Sequence, residues 1–468
     1  MKKLIYVLTA VAAVLTAVSC NSSYEPGEDT ATSVAVYSFG LQADKKVMEH
    51  LDTVFFSIDL VNALIFNADS LPYGADVRKL VPKIKTLDGV SQAQLSVRKY
   101  TGTDTVYNYI TNPNDSIDFT NPVTLMIVSP DGLVSRQYTI KVNVHTQKPD
   151  SLVWSRADCR NLPSAFAIPI WQQTARTDAG FWCLSANSAG AMSLAHAADP
   201  DGRWDVVTPV LPQGADRESF SGAGDKLYVI SDGELMSSAD GLSWTATGTH
   251  MDHVFGALDG ELIGYVRDNG TRRWVSTSGA SGALPDGVPY QGESTAAQID
   301  FELSASGQLI IAGGLGASGE RLASAWGFDG RNWAVLCREL PEALEGAIVL
   351  NYTTYKMDSA YKPVALSTLI MMGGRDATDV NRDVYVSYTW GTTWEKAGEL
   401  MAMPKDVPSW WGAQAFVADV TLGSRATRPI ESWECPYIYV FGGNNFAGAL
   451  YNTVWRATLN RTKFKPVQ

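Results

Sequence analysis

The chain has 468 residues, 18% of them charged and 10% aromatic, with 40 glycines, 14 tryptophans and 19 tyrosines. Composition this rich in glycine and aromatics and this poor in charge favours an all-β protein over a helical bundle, and the length calls for more than one core. A formal net charge of −12 sets the surface against phosphate backbones and excludes a nucleic-acid partner.

The N-terminus carries Lys2 and Lys3, an apolar run over 4–18, then Ser19 and Cys20. A basic head and a short apolar stretch followed by polar residues predict a cleaved leader over 1–20, since the run is too short to span a bilayer. Ala17-Val18-Ser19-Cys20 resembles the bacterial lipobox, with Ala17 where leucine is usual. The resemblance implies lipid on Cys20 and a membrane contact through that anchor alone; an ordinary secretory leader with a chance cysteine is the alternative. Residues 21–32 are polar and aperiodic and read as a flexible tether. The other four cysteines, Cys159, Cys183, Cys337 and Cys435, are widely spaced and lack a CxxC pair. Disulfides and buried free thiols both remain open, and no metal site is expected.

Between 33 and 147 short alternating runs recur at 54–60, 94–98, 123–128 and 136–144. Ser129-Pro130-Asp131-Gly132 between the last two is a hairpin turn signal. Strands at this spacing predict a β-sandwich. The final hairpin resembles the immunoglobulin-like or cadherin-like modules of Bacteroidetes lipoproteins, which implies a spacer or docking unit. Lys148-Pro149-Asp150 reads as a linker.

From 151 to 468 one unit repeats. An apolar strand ends in two glycines at Leu309-Ile310-Ile311-Ala312-Gly313-Gly314, at Leu369-Ile370-Met371-Met372-Gly373-Gly374 and at Tyr439-Val440-Phe441-Gly442-Gly443. Trp326, Tyr385 and Trp455 follow at nearly constant distance, and tryptophan-led strands run on to Leu211-Pro212, Leu340-Pro341 and Met403-Pro404. Small sheets of this kind bury both faces only when packed radially, with glycine where backbones crowd and aromatics in the wider gaps. The expected fold is a β-propeller. Candidate blades centre on Phe181, Leu227, Leu262, Leu309, Leu369 and Tyr439, which predicts six, with five or seven remaining open. Trp154 begins an extra outer strand able to close the ring against the last blade. The repeat resembles the kelch family, and the segments 387–394 and 238–244 resemble the hairpin turn of sialidase-type propellers. The two-part pattern is similar to an uncharacterised Bacteroidetes lipoprotein family, domain of unknown function 6242, which implies no activity.

On a propeller the turns between second and third strands and the connections from one blade to the next share one end. That end holds 315–321, 375–382 and 444–448 together with 213–218, 286–293 and 405–411. The candidate ligand-binding residues there are Trp410, Trp411, Arg375, Tyr290, Glu293 and Arg217. Paired tryptophans offer stacking surface, and Arg375 just after Gly373-Gly374 is placed to meet a carboxylate. No catalytic set, phosphate cradle or cofactor motif appears, and five histidines with no ligand spacing give no metal centre. The functional expectation is an outer-membrane lipoprotein, periplasmic or surface-exposed, that binds glycan or protein through one propeller face without catalysis. The alternatives are a degenerate hydrolase or lyase on acidic sugars, using Arg375, and a structural subunit of a surface complex.

Overall fold

Strands form where apolar side chains alternate with polar ones. Along Gln92–Arg98 the side chains of Ala93, Leu95 and Val97 are buried, and along Val123–Val128 those of Val123, Leu125 and Ile127 are. The computed structural model describes residues 33–67, 70–87, 89–146, 148, 151–300, 307–357, 363–418 and 436–460. The leader expected over 1–20 with Cys20, the tether expected over 21–32, and Cys435 lie outside these. Helix among the described residues amounts to the short 3-10 turns Leu51–Thr53 and Glu399–Met401, and no helix there is long and apolar enough to cross a membrane. Contacts divide the chain between Val144 and His145.

The first unit holds a six-stranded sheet in the order Ser57–Asp59, Leu64–Phe66, Ser135–Lys141, Val123–Val128, Gln92–Arg98, Asp104–Asn108, and a two-stranded sheet of Val36–Leu41 with Pro82–Thr86. Tyr138 joins them: its hydroxyl donates to the Val34 carbonyl at 3.0 Å and accepts the Val36 N–H at 3.3 Å. Phe39 packs edge-on against Phe56 and Phe119 in the shared core. The hairpin turn closes as its residues require, with Asp131 accepting from the Leu133 N–H and Ser129 Oγ from the Val134 N–H. The strand expected over 54–60 is reduced to Ser57–Asp59. The Asp59 carboxylate takes the N–H groups of Val61 and Asn62 and turns the chain there.

The second unit contains, among the described residues, six four-stranded antiparallel sheets. Their second strands are Gly180–Ala186, Lys226–Ser231, Glu261–Asp268, Gln308–Ala312, Pro363–Arg375 and Tyr437–Phe441, one at each of the six expected centres. Their first strands are Trp171–Thr177, Ala215–Ala223, His253–Leu258, Ala297–Ile299, Glu345–Met357 and Gln414–Ala418. Each first strand lies against the next, and Gln414–Ala418 returns to Trp171–Thr177, so the sheets form a closed ring. Ser151–Arg156 is the outer strand of the sixth sheet, pairing antiparallel with Val454–Asn460 so that Leu152 faces Leu459 and Trp154 faces Ala457. Strands from the two ends of this unit therefore complete one sheet, and neither end can leave without exposing an edge.

The paired glycines bear on the seams between sheets. Gly313 and Gly314 have φ of 66° and 92°, and Gly373 and Gly374 have 63° and 79°. The Gly314 N–H donates to the Leu344 carbonyl and the Gly374 N–H to the Trp410 carbonyl, each on the connection entering the next sheet. A β-carbon at Gly313 would stand 2.2 Å from the Leu344 oxygen. The repeat is thus the device that lets one sheet's second strand dock on its neighbour's entry segment. The turns at 238–244 and 387–394 are hairpin caps, in which Ser238 and Ser387 accept the N–H of Gly241 and Gly391. Cys159, Cys183 and Cys337 are free thiols.

Candidate functional site

The loops expected at one rim, apart from 375–382 with Arg375, contribute to the wall of a cavity of about 910 Å³ on the ring axis, and all six sheets or their connections line it. A second cavity of about 630 Å³ continues along the axis, and Gln173, Glu218, Phe255 and Gln414 line both. The axis is polar. Gln172 Nε2 donates to Gln414 Oε1 at 2.7 Å, and Gln414 Nε2 donates to Gln173 Oε1 at 3.0 Å. Asp216, Glu218 and Asp252 add carboxylates.

Of the two adjacent tryptophans, Trp410 is not on the rim. It is fully buried, packing edge to face with Trp154 at 5.7 Å in the core of the fifth and sixth sheets. It offers no surface to a ligand, because successive side chains of an extended segment point to opposite sides. Trp411 takes the other side and lines the cavity. Its Nε1 donates to the Asn445 carbonyl at 2.8 Å, and its backbone pairs with Asn444, tying the connection to the turn at 444–448.

Arg375 does meet a carboxylate, but one from its own sheet. Glu345, its cross-strand partner, receives Nε at 3.0 Å and NH2 at 2.7 Å. Arg321, from the turn of the fourth sheet, adds a third contact to Glu345 at 3.0 Å. Glu345, only 8% exposed, is the residue that joins these loops, and nothing in its sequence neighbourhood marks it. Asp376 is spent on its own turn, accepting the N–H groups of Thr378 and Asp379.

Arginines also cap the other rim aromatics. Arg272 lies 3.6 Å over the Tyr290 ring, and Arg217 4.7 Å over the Trp171 ring. Arg272 is buried, and donates to the carbonyls of Val288 and Pro289 at 2.7 and 2.8 Å. It therefore sets the path of the connection carrying Tyr290 and Glu293. Tyr290 lines the cavity, while Arg217 is exposed beside Trp171 and 3.8 Å from Glu218.

Glu293 has the partner that local sequence gave no reason to expect. His253 Nε2 lies 2.6 Å from Glu293 Oε1, and the Glu293 side chain is 7% exposed. A carboxylate only accepts, so Nε2 carries the proton. Burial by itself would depress the His253 pKa; the charge and hydrogen bond of Glu293 outweigh it and, with Asp216, raise it above the usual histidine value against opposition from Arg272. Met251 and Asp252 connect the second sheet to the third, and His253 opens the inner strand His253–Leu258 and lines the cavity. Among the described residues no group of three or more His, Cys, Asp or Glu could hold a metal.

A closed ring of small sheets around a polar axial cavity defines a β-propeller, here preceded by an all-β N-terminal domain. The chain belongs to the DUF6242 family: the family model described as DUF6242 beta propeller domain matches residues 148–467, and that of the DUF6242 N-terminal domain, a domain of unknown function, matches 28–142. Comparison with curated proteins gives no match.

Proposed function

We propose that the protein is a cell-envelope lipoprotein whose propeller binds a glycan in the axial cavity. The observation that carries this is the wall itself: the amide of Gln173 and carboxylates of Asp216 and Asp252 stand among Trp171, Tyr290 and Trp411. Sugar hydroxyls both donate and accept, and such a wall supplies both partners together with apolar ring edges. A cavity of about 910 Å³ matches the size of sites that enclose a small ligand, whereas protein partners prefer broad and flatter surfaces. An acidic-sugar enzyme working through Arg375 has less support, because Glu345 already occupies that guanidinium. Lipid on Cys20 and the tether at 21–32 would hold the domains at the membrane.

A glycan array on the full mature chain, repeated with Trp171→Ala and Tyr290→Ala, tests the cavity. Binding that survives both changes removes it from the proposal. Labelled palmitate tests the anchor: incorporation should disappear in Cys20→Ala, and persistence of label would rule that residue out.

A further inference from the structure

We propose that the corner of the axial cavity formed by His253, Glu293 and Arg267 is a subsite for the carboxylate of a uronic-acid residue, so that the bound glycan is acidic and its binding is linked to a proton. This deepens, and rests on, the reading of the cavity as a glycan site.

Three elements build the corner. His253 opens the inner strand of the third sheet, and its cross-strand partner is Tyr265. Arg267 lies two residues further along that second strand, hence on the same face. Glu293 arrives on the connection between the third and fourth sheets. With Nε2 given to Glu293, the other ring nitrogen, Nδ1, has no hydrogen bond among the described residues, and the ring lines the cavity. Glu293 Oε2 is buried and also lacks a partner, so Glu293 is dedicated to holding the imidazole. Arg267 is exposed in the same wall and has no ion pair among the described residues. Its backbone N–H donates to Asp252 Oδ2 at 2.6 Å, which fixes the strand end beneath it.

The cations elsewhere on the rim are committed. Arg321 and Arg375 neutralise Glu345, and Arg272 is buried on backbone carbonyls. Protonated His253 and Arg267, whose guanidinium rests only 5.9 Å from the centre of the Tyr265 ring, are therefore the cations of a wall that is otherwise rich in acceptors, with Asp216, Glu218 and Asp252 facing the same space. A ligand carboxylate fits between these two donors, as charge-assisted hydrogen bonds favour, while its hydroxyls donate to the aspartates. The groups around His253 are Glu293, Asp216, Asp252, Arg267, Arg272 and Tyr265. Of these, Glu293 and Asp216 keep the ring charged to higher pH than an ordinary histidine. Once the proton leaves, Nδ1 turns a lone pair toward the bound carboxylate and attraction becomes repulsion.

Calorimetry on the full mature chain with trigalacturonate and with neutral galactotriose is the test, at about pH 6 and about pH 9, where the uronate carboxyl stays ionised throughout. The acidic trisaccharide should bind at least roughly tenfold more tightly than the neutral one at the lower pH, and lose about that factor at the higher. His253→Gln, whose amide can still donate to Glu293, should abolish the pH dependence. Arg267→Gln, at an exposed position, should weaken binding and keep the dependence. Equal binding of both sugars, or a pH dependence that persists in His253→Gln, overturns the subsite and leaves the glycan reading standing. Failure of every oligosaccharide to bind overturns both.

Discussion

The guanidinium of Arg375 lies 3.7 Å from the centre of the Trp411 ring while its nitrogens hold Glu345 at 2.7 and 3.0 Å. One flat cation thus satisfies a ring face and a carboxylate at once, a task that suits arginine and not lysine. Arg375→Lys should cost about 1–2 kcal/mol in a denaturant titration. It should also change Trp411 fluorescence; a lysine variant of unchanged stability and emission would show the stacking to be incidental.

Trp410 and Trp411 should separate cleanly by mutation. Trp410→Ala empties a fully buried site and should cost about 3–5 kcal/mol. Trp411→Ala should cost clearly less and alter binding in the cavity. Thermal melts and glycan binding on the two variants together decide whether the pair divides in this way.

Two glycines with positive φ measure what the seam demands. Gly319 has φ of +81° with open space around its missing β-carbon, whereas Gly313 faces the Leu344 carbonyl oxygen at 2.2 Å. Gly319→Ala should cost about 1–2 kcal/mol, the backbone term alone. Gly313→Ala should cost substantially more, because the entry segment of the next sheet must move. Equal losses would mean that the seam yields freely.

The His253–Glu293 pair makes stability depend on pH with a defined sign. The folded pKa of His253 is raised, so the pair's contribution is fully present below the unfolded value of about 6.5 and fades as pH rises through the folded one. The stability gap between the natural protein and Glu293→Gln should therefore be largest near pH 6 and shrink toward pH 9. A gap that widens with pH contradicts the assigned proton.

Burial raises the Cys159 and Cys183 thiols to about 12. Thiolate is the reactive form, so both should resist iodoacetamide at about pH 8 in the folded protein and react once it is denatured. Mass spectrometry of the alkylated peptides reads this directly, and rapid labelling of Cys183 in native protein would argue against its position inside the first sheet.

Local pattern set out much of this molecule in advance. The alternation at 123–128, the hairpin turn at 129–132 and the recurrent Gly-Gly steps are short-range signals, and the second strands of the fourth, fifth and sixth sheets stand where the Gly-Gly steps placed them. The rim loops were legible for the same reason, since strand alternation dictates which connections share an end. What faces what across the ring was not. Whether Trp410 or Trp411 points inward depends on where the core lies relative to an extended segment. Glu345 gathers Arg321 and Arg375 because two sheets meet there. His253 and Glu293 stand 40 residues apart in sequence and touch only when the third and fourth sheets dock. Periodicity is a property of neighbours in the chain, whereas these contacts exist only because the ring closes, with Ser151–Arg156 completing the sheet that ends in Val454–Asn460.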